Sequence, residues 1–268
     1  MPQSLLIYGA GKMGGAMLAG ALAGGWPAGS IRVIEPHPSA RLLDLAREKG
    51  FALNPAEAEA ADMVLLAIKP QALDAASLAL GAHLDENTVL VSILAGKSIA
   101  DIAARLPVLR KIIRAMPNTP AAIGRGITGA YATPALAESE REAVSRLLAT
   151  TGRVEWVEHE ALIDCVTAVS GSGPAYVFYL VECLARAGAE IGLPPALALR
   201  LARATIEGAG ELLFQEAETP PATLRANVTS PGGTTAAALE VLMAQDGLAP
   251  LMAKAVAAAR ARAQALAG

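Results

Sequence analysis

The chain has 268 residues, 53% hydrophobic but only 3% aromatic, which is room for two domains with cores built mostly from Ala, Leu, Val and Ile. A net charge of −3 with acidic and basic residues interspersed excludes a nucleic-acid surface and a polybasic membrane anchor. No apolar run approaches a membrane span, no secretory signal is legible, the two cysteines form no CxxC, and the three histidines show no ligand spacing; these features predict buried structural thiols, no metal site and a cytoplasmic protein.

A short apolar run over residues 4–8 leads into Gly9-Ala10-Gly11-Lys12-Met13-Gly14 and then into a helical stretch from Ala16. The spacing Gly9-x-Gly11-x-x-Gly14 is the fingerprint of a dinucleotide-binding strand-turn-helix. Gly9 suits the tight turn, Gly11 lets backbone approach a pyrophosphate, and Gly14 lets the helix pack close to the strand. The helix N-terminus offers unpaired N–H groups and its positive dipole end to the phosphates. A second apolar run over residues 31–34 ends in Glu35, twenty-one residues past Gly14, where an acid would bind a ribose 2′-hydroxyl. A glycine-rich helix start that binds nothing would require neither the strand nor the acid.

Up to about residue 157 short β-like runs alternate with helical segments, which predicts a parallel sheet covered on both faces. The strands fall at residues 4–8, 31–35, 51–53, 63–68, 88–92, 111–116, 127–132 and 153–157, with helices over 40–49, 71–82, 99–105 and 138–150 between them. Ligands of such sheets lie beyond the carboxyl ends of the strands. Ala67-Ile68-Lys69-Pro70 follows the fourth strand, Ala95-Gly96 the fifth, and Met116-Pro117-Asn118-Thr119-Pro120 the sixth. Pro70 stops a strand abruptly, Ala95 and Gly96 would let a nicotinamide ribose lie against backbone, and Asn118 between two prolines is a stiffly held amide that could orient a ligand. Each alone is ordinary turn chemistry; together, on one edge of the sheet, they read as a cleft.

From about residue 160 the strand pattern stops and the chain reads as helices broken by Gly and Pro. Residues 174–191 and 194–216 are apolar around much of their circumference, more than a helical domain of about a hundred residues can bury by itself. The excess predicts a subunit interface, by default two-fold. Ser170-Gly171-Ser172-Gly173-Pro174 interrupts this half, as does Ser230-Pro231-Gly232-Gly233-Thr234-Thr235 ahead of a helix over 236–245. The second loop suits an anion, most naturally a carboxylate, held by several backbone N–H groups. Helix capping would use one threonine and does not call for the whole run.

With these residues in view the chain resembles the pyrroline-5-carboxylate reductases. The likeness runs nearly end to end through the glycine turn, Ala67 to Pro70, Met116 to Pro120, Val169-Ser170-Gly171-Ser172-Gly173-Pro174-Ala175-Tyr176, and Leu224 to Thr235. The resemblance implies an α/β fold with a Rossmann-type doubly wound sheet over residues 1–159. An all-helical domain over 160–268 would bind substrate and interlock two subunits, five such dimers sometimes closing into a ring. It implies hydride transfer from NADPH or NADH to C5 of L-1-pyrroline-5-carboxylate, giving L-proline. The cofactor would be held by Gly9, Gly11, Lys12, Met13, Gly14, Glu35, Asn54, Ala67, Lys69, Pro70 and Ala95. The substrate carboxylate would sit on Ser230, Gly232, Gly233, Thr234 and Thr235, with Thr235 near the ring nitrogen and Glu218 where the family often places an acid.

The chemistry agrees, because a cyclic imine accepts hydride once its nitrogen is protonated or strongly hydrogen-bonded, with no shifted His or Lys required. Thr235 then donates to the imine nitrogen while the N–H groups of Gly232, Gly233 and Thr234 hold the carboxylate. Whether Glu218 meets substrate or caps the segment before Pro220 stays open. One departure concerns the cofactor. Glu35 should bind a 2′-hydroxyl and repel a 2′-phosphate, with His37, Ser39 and Arg41 as possible compensation, so NADH should serve at least as well as NADPH. A β-hydroxyacid dehydrogenase would want a lysine in the helical half, and residues 160–250 contain none. A reductase of another cyclic imine would use the same machinery, and a cofactor-binding sensor would have no use for the two interrupting loops.

Overall fold

In the computed structural model, which describes residues 4–267, the apolar runs of the first half become strands. They are β1 (Leu5–Tyr8), β2 (Ile31–Ile34), β3 (Ala52–Leu53), β4 (Met63–Leu66), β5 (Val89–Ser92), β6 (Lys111–Met116), β7 (Gly126–Ala132) and β8 (Gly152–Trp156). Between them lie α1 (Lys12–Ala23), α2 (Ala40–Lys49), α3 (Leu73–Leu80), α4 (Ile99–Arg105) and α5 (Glu138–Ala149). Every residue of β1, β4 and β5 is buried, as parallel strands covered on both faces require. Alternate side chains serve opposite faces. Leu5 and Ile7 join a core with Met17 and Leu18 of α1 and Leu147 of α5, while Leu6 and Tyr8 join one with Leu73 of α3 and Ile102 of α4.

The strand order is β3-β2-β1-β4-β5-β6-β7-β8, a doubly wound sheet of Rossmann type. Pairing is parallel from β3 through to β6. From β1 the chain moves outward to β2 and then crosses to β4 on the other side. That reversal opens a crevice at the carboxyl ends of β1 and β4. The expectation of a wholly parallel sheet needs correction at its far edge, where β7 runs antiparallel to β6 and β8 runs parallel to β7. Length explains both. Nine residues join β6 to β7, too few for a crossover of a dozen or more, whereas α5 bridges β7 to β8.

A buried ion cluster ties the last part of this unit to the sheet. Arg114 on β6, 5% exposed, donates from Nη2 to Asp164 Oδ1 at 2.8 Å, and its Nη1 lies 3.5 Å from Glu160 Oε1. Asp164 belongs to α6 (Leu162–Val166), and Glu160 also accepts the N–H of Ile99 at the start of α4. Removing one partner of such a pair costs about 3–5 kcal/mol, so the cluster fixes α6 on the sheet. A π-helical turn, Thr167–Gly171, follows α6.

By contact density the described chain forms two units. Residues up to Gly171, with the end of the last helix from Ala259, make one; Ser172 to Ala258 make the other. The second unit is wholly helical: α7 (Gly173–Glu190), α8 (Pro195–Gln215), α9 (Pro221–Asn227), α10 (Thr234–Leu242) and the greater part of α11 (Leu248–Ala267). α7 and α8 pair through small residues, a Cβ at Gly188 falling 3.3 Å from that of Ala198. No residue of α7 is buried, and on α8 only Ala198 and Ala202 are. Phe178 and Tyr179 are 63% and 59% exposed. Cys165 and Cys183 are free and half-buried, less enclosed than the sequence suggested. Among the described residues no helix is long and apolar enough to cross a membrane.

Candidate functional site

Close backbone approach builds the glycine turn. Gly9 has φ +97° and donates its N–H to Ile34 O at 2.8 Å; a Cβ there would fall 2.6 Å from Ala67 O. A Cβ on Gly14 would fall 2.1 Å from Gly9 O. These two glycines are demanded by the fold itself. Gly11 is different. It is the N-cap of α1 in extended conformation, φ −65°, and a Cβ on it would meet nothing within 4 Å. The space above Gly11 is open. No side chain caps α1, so its first N–H groups face that space, with Lys12 exposed at the first helical position. Tyr8, just beneath the turn, is buried, and burial pushes its phenol up, so it stays neutral.

The acid after β2 is fixed by four hydrogen bonds. Glu35 Oε2 accepts the N–H of Ala10 at 2.9 Å and Oε1 that of His37 at 3.1 Å. The Glu35 N–H donates to Asn54 Oδ1 at 2.8 Å, and Asn54 Nδ2 donates to Glu35 O at 2.9 Å. Asn54 itself sits in the left-handed region at φ +49° and donates its N–H to Val33 O. Its amide is thus engaged with chain, and it holds Glu35 in place. Gly11, Lys12 and Glu35 line one cavity of about 530 Å³ with His37, Ser39 and Arg41. Ala122, from the turn after β6, lines it too; nothing in an apolar turn residue signals that role in sequence.

The residues expected at the other strand ends gather separately. Ala67 follows β4, donating its N–H to Tyr8 O at 2.8 Å, and Lys69 is exposed as the N-cap of the short helical turn Pro70–Ala72. Pro70 and Ala95 line a second cavity of about 360 Å³ with Lys97, Arg105 and Leu266. Met13 is half-buried in the first turn of α1. Asn118 is not free to orient a ligand. Its Oδ1 accepts the N–H of Ile127 at 3.0 Å and its Nδ2 donates to Ser170 O at 3.2 Å, so it clamps the π-helical turn.

In the helical unit the loop over residues 230–235 starts α10 two residues earlier than expected. The N-cap is Gly233, without a side-chain cap, so Thr234 and Thr235 are the first helical residues. Both are exposed and neither caps the helix. The first helical bond runs from Ala237 N to Gly233 O, which leaves the N–H groups of Thr234, Thr235 and Ala236 ahead of the ladder. One expectation changes. Gly233 donates its N–H to Ser230 O at 3.0 Å to close the turn, so it is spent and cannot hold a carboxylate. Glu218 is exposed in the turn after α8, and α9 is capped by Pro220 without any side chain, so Glu218 is not a helix cap.

Comparison with known proteins places this geometry in context. The family model described as pyrroline-5-carboxylate reductase dimerisation matches residues 160–266, and that described as NADP oxidoreductase coenzyme F420-dependent matches residues 4–96. The pyrroline-5-carboxylate reductase of Pseudomonas aeruginosa is 40% identical, covering 98% of this chain and 96% of its own. That of Synechocystis sp. is 42% identical over 99% of both. Among solved structures, a pyrroline-5-carboxylate reductase from Coxiella burnetii matches with a TM-score of 0.90 at 32% identity, covering 99% of each chain. The Plasmodium falciparum pyrroline carboxylate reductase with NADP bound matches at 0.80 and 26% identity, covering 99% of this chain and 98% of its own.

The two kinds of glycine predict two kinds of variant. Gly11→Ala should keep the wild-type Tm yet weaken dinucleotide binding by at least about tenfold, because its methyl group fills only ligand space. Gly14→Ala should lower Tm, because its methyl group meets Gly9 O. Thermal unfolding and titration calorimetry on both variants check this; a Gly11→Ala protein with wild-type affinity would contradict it.

Proposed function

The chain belongs to the pyrroline-5-carboxylate reductase family, and from that premise we infer that it reduces L-1-pyrroline-5-carboxylate to L-proline with NADH or NADPH as hydride donor. The observation that carries the substrate assignment is the uncapped start of α10, where three N–H groups precede the helical ladder and two exposed threonine hydroxyls cap nothing. Such donors are satisfied by a side chain, by water or by a ligand. Here they suit a small carboxylate next to a group that needs a hydrogen-bond donor, which describes this substrate.

The cradle over Gly11 fits a nicotinamide dinucleotide, since its backbone allows close approach, a helix N-terminus points into it and an acid stands beside it. When bound there, the cofactor supplies a hydride and nothing else. Gly9 and Gly14 shape the turn, Gly11 leaves it open, and Lys12 and Met13 begin the helix that faces the pyrophosphate. Glu35 takes the ribose, positioned by Asn54. Ala67, Lys69, Pro70 and Ala95 serve the nicotinamide side. At the substrate loop the N–H groups of Gly232, Thr234 and Thr235 hold the carboxylate, and Ser230 shapes the turn through its carbonyl. Thr235 Oγ would donate a hydrogen bond to the imine nitrogen and draw electron density from C5; the hydride pair would become the C5–H bond, the π pair would move to nitrogen, and a proton from solvent, relayed by the Thr235 hydroxyl, would complete the N–H. Glu218, exposed and not a cap, lies free to meet substrate from the turn before α9.

We place the domain division at 1–159 and 160–268, the helical part being the one that dimerises. α7 buries none of its residues within one chain, and its aromatic face needs a cover. A homodimer supplies it, and five such dimers in a ring are the larger assembly we propose. The free cysteines suit the reducing cytoplasm, where we place the enzyme.

Thr235→Ala should lower kcat/KM for the imine by about a hundredfold, the usual loss of one oriented donor, with cofactor Kd unchanged. Initial rates and cofactor titration measure both, and near-normal kcat/KM would reject the role. Light scattering should give a mass of two subunits of 27.3 kDa or an even multiple; a monomer at micromolar concentration would contradict the dimer.

A further inference from the structure

The cavity beside Gly11 carries charge of both signs, Glu35 against Lys12 and Arg41, and which of them meets the adenine-side ribose decides between two cofactors. We infer that the fixed carboxylate of Glu35 selects a dinucleotide with a free 2′-hydroxyl over one with a 2′-phosphate, making NADH the preferred hydride donor; this rests on the dinucleotide reading of the site given above. The decisive feature is that Glu35 is held from both its main chain and its carboxylate. Asn54 locks its backbone from both sides at 2.8 and 2.9 Å, and Ala10 and His37 each hold one carboxylate oxygen. Each of those oxygens keeps a lone pair, so the carboxylate can still accept from a ribose hydroxyl. A 2′-phosphate offers mainly acceptors and nearly two negative charges, and would meet a carboxylate that has no other position to take.

The groups that could offset this are committed or loose. The His37 backbone N–H is spent on Glu35, and Ser39 Oγ caps α2 by accepting the N–H of Leu42 at 3.3 Å, which leaves the Ser39 O–H and the exposed His37 ring as the donors on this side of the cavity. Arg41 is exposed on the first turn of α2, and a phosphate would have to order its long side chain. Lys12 is likewise exposed and would have to be ordered, whereas Glu35 already accepts two backbone N–H groups. The balance therefore goes to Glu35, with Asn54 as a positioning residue that touches no ligand with its bonded amide atoms.

The test uses two ligands that lack nicotinamide and so cannot turn over: ADP-ribose and 2′-phospho-ADP-ribose, titrated calorimetrically into the purified protein. ADP-ribose should bind at least about tenfold tighter, and the ratio should narrow as salt is raised, because the discrimination is repulsion between charges. Glu35→Gln keeps an acceptor for the Ala10 N–H but removes the charge, and should bring the two affinities within about threefold; Glu35→Asp keeps the charge and should keep the preference. Tighter binding of the phosphorylated ligand by the wild type would overturn the inference, as would an unchanged ratio in Glu35→Gln. If that variant fails to fold, the wild-type ratio and its salt dependence decide. Binding of neither ligand would overturn the dinucleotide site itself, an outcome distinct from a reversed preference.

Discussion

Everything in the first unit depends on how closely β1, α1 and β4 approach one another. A methyl group on Gly9 would run into Ala67 O, and one on Gly14 into Gly9 O, so the three elements meet backbone to backbone. This contact sets where α1 begins and directs its uncapped N-terminus to the carboxyl edge of the sheet. The Gly9 N–H reaches Ile34 O, and the Ala10 N–H reaches the Glu35 carboxylate, so the turn and the end of β2 form one rigid rim. Glycine turn and acid are thus one construction, in place before any ligand arrives.

Each unit commits some hydrogen-bonding groups and leaves a helix start open, at α1 in the first and α10 in the second. In the first, polar side chains near the strand ends are consumed: Asn54 on Glu35, Asn118 on Ile127 and Ser170, Arg114 on Asp164. In the second, the start of α10 is left without a side-chain cap although two threonines stand within reach of the position. Committed groups give a fixed frame, and the proposed substrate site uses the uncommitted donors. Hydride transfer to an imine asks for little more than this, because positioning and one oriented hydrogen bond replace strong acid–base chemistry.

Much of this was legible in the sequence, for reasons that can be named. The strands were legible because parallel strands buried on both faces are short, unbroken apolar runs, and β1, β4 and β5 are buried at every position. The direction of β7 was not, since periodicity carries no direction; the length of the preceding connection holds that information. The glycine turn and Glu35 followed from spacing, but Glu35's tether to Ala10 joins residues 25 apart and leaves no local trace. Proline on either side of Asn118 suggested a rigid amide, which is right in stiffness; what it grips is chain, because its partners come from β7 and the π-helical turn. The start of α10 was displaced because threonine is so common a cap, and here glycine takes that position.

The central claim is that the open glycine cradle and the uncapped helix serve one reaction. Initial rates of NADH and NADPH oxidation by the purified protein with L-1-pyrroline-5-carboxylate, with the product identified, test it most directly. The account predicts turnover with stoichiometric L-proline and no oxidation when the imine is withheld. Cofactor binding without turnover of this imine would contradict it, leaving the fold standing and the reaction wrong.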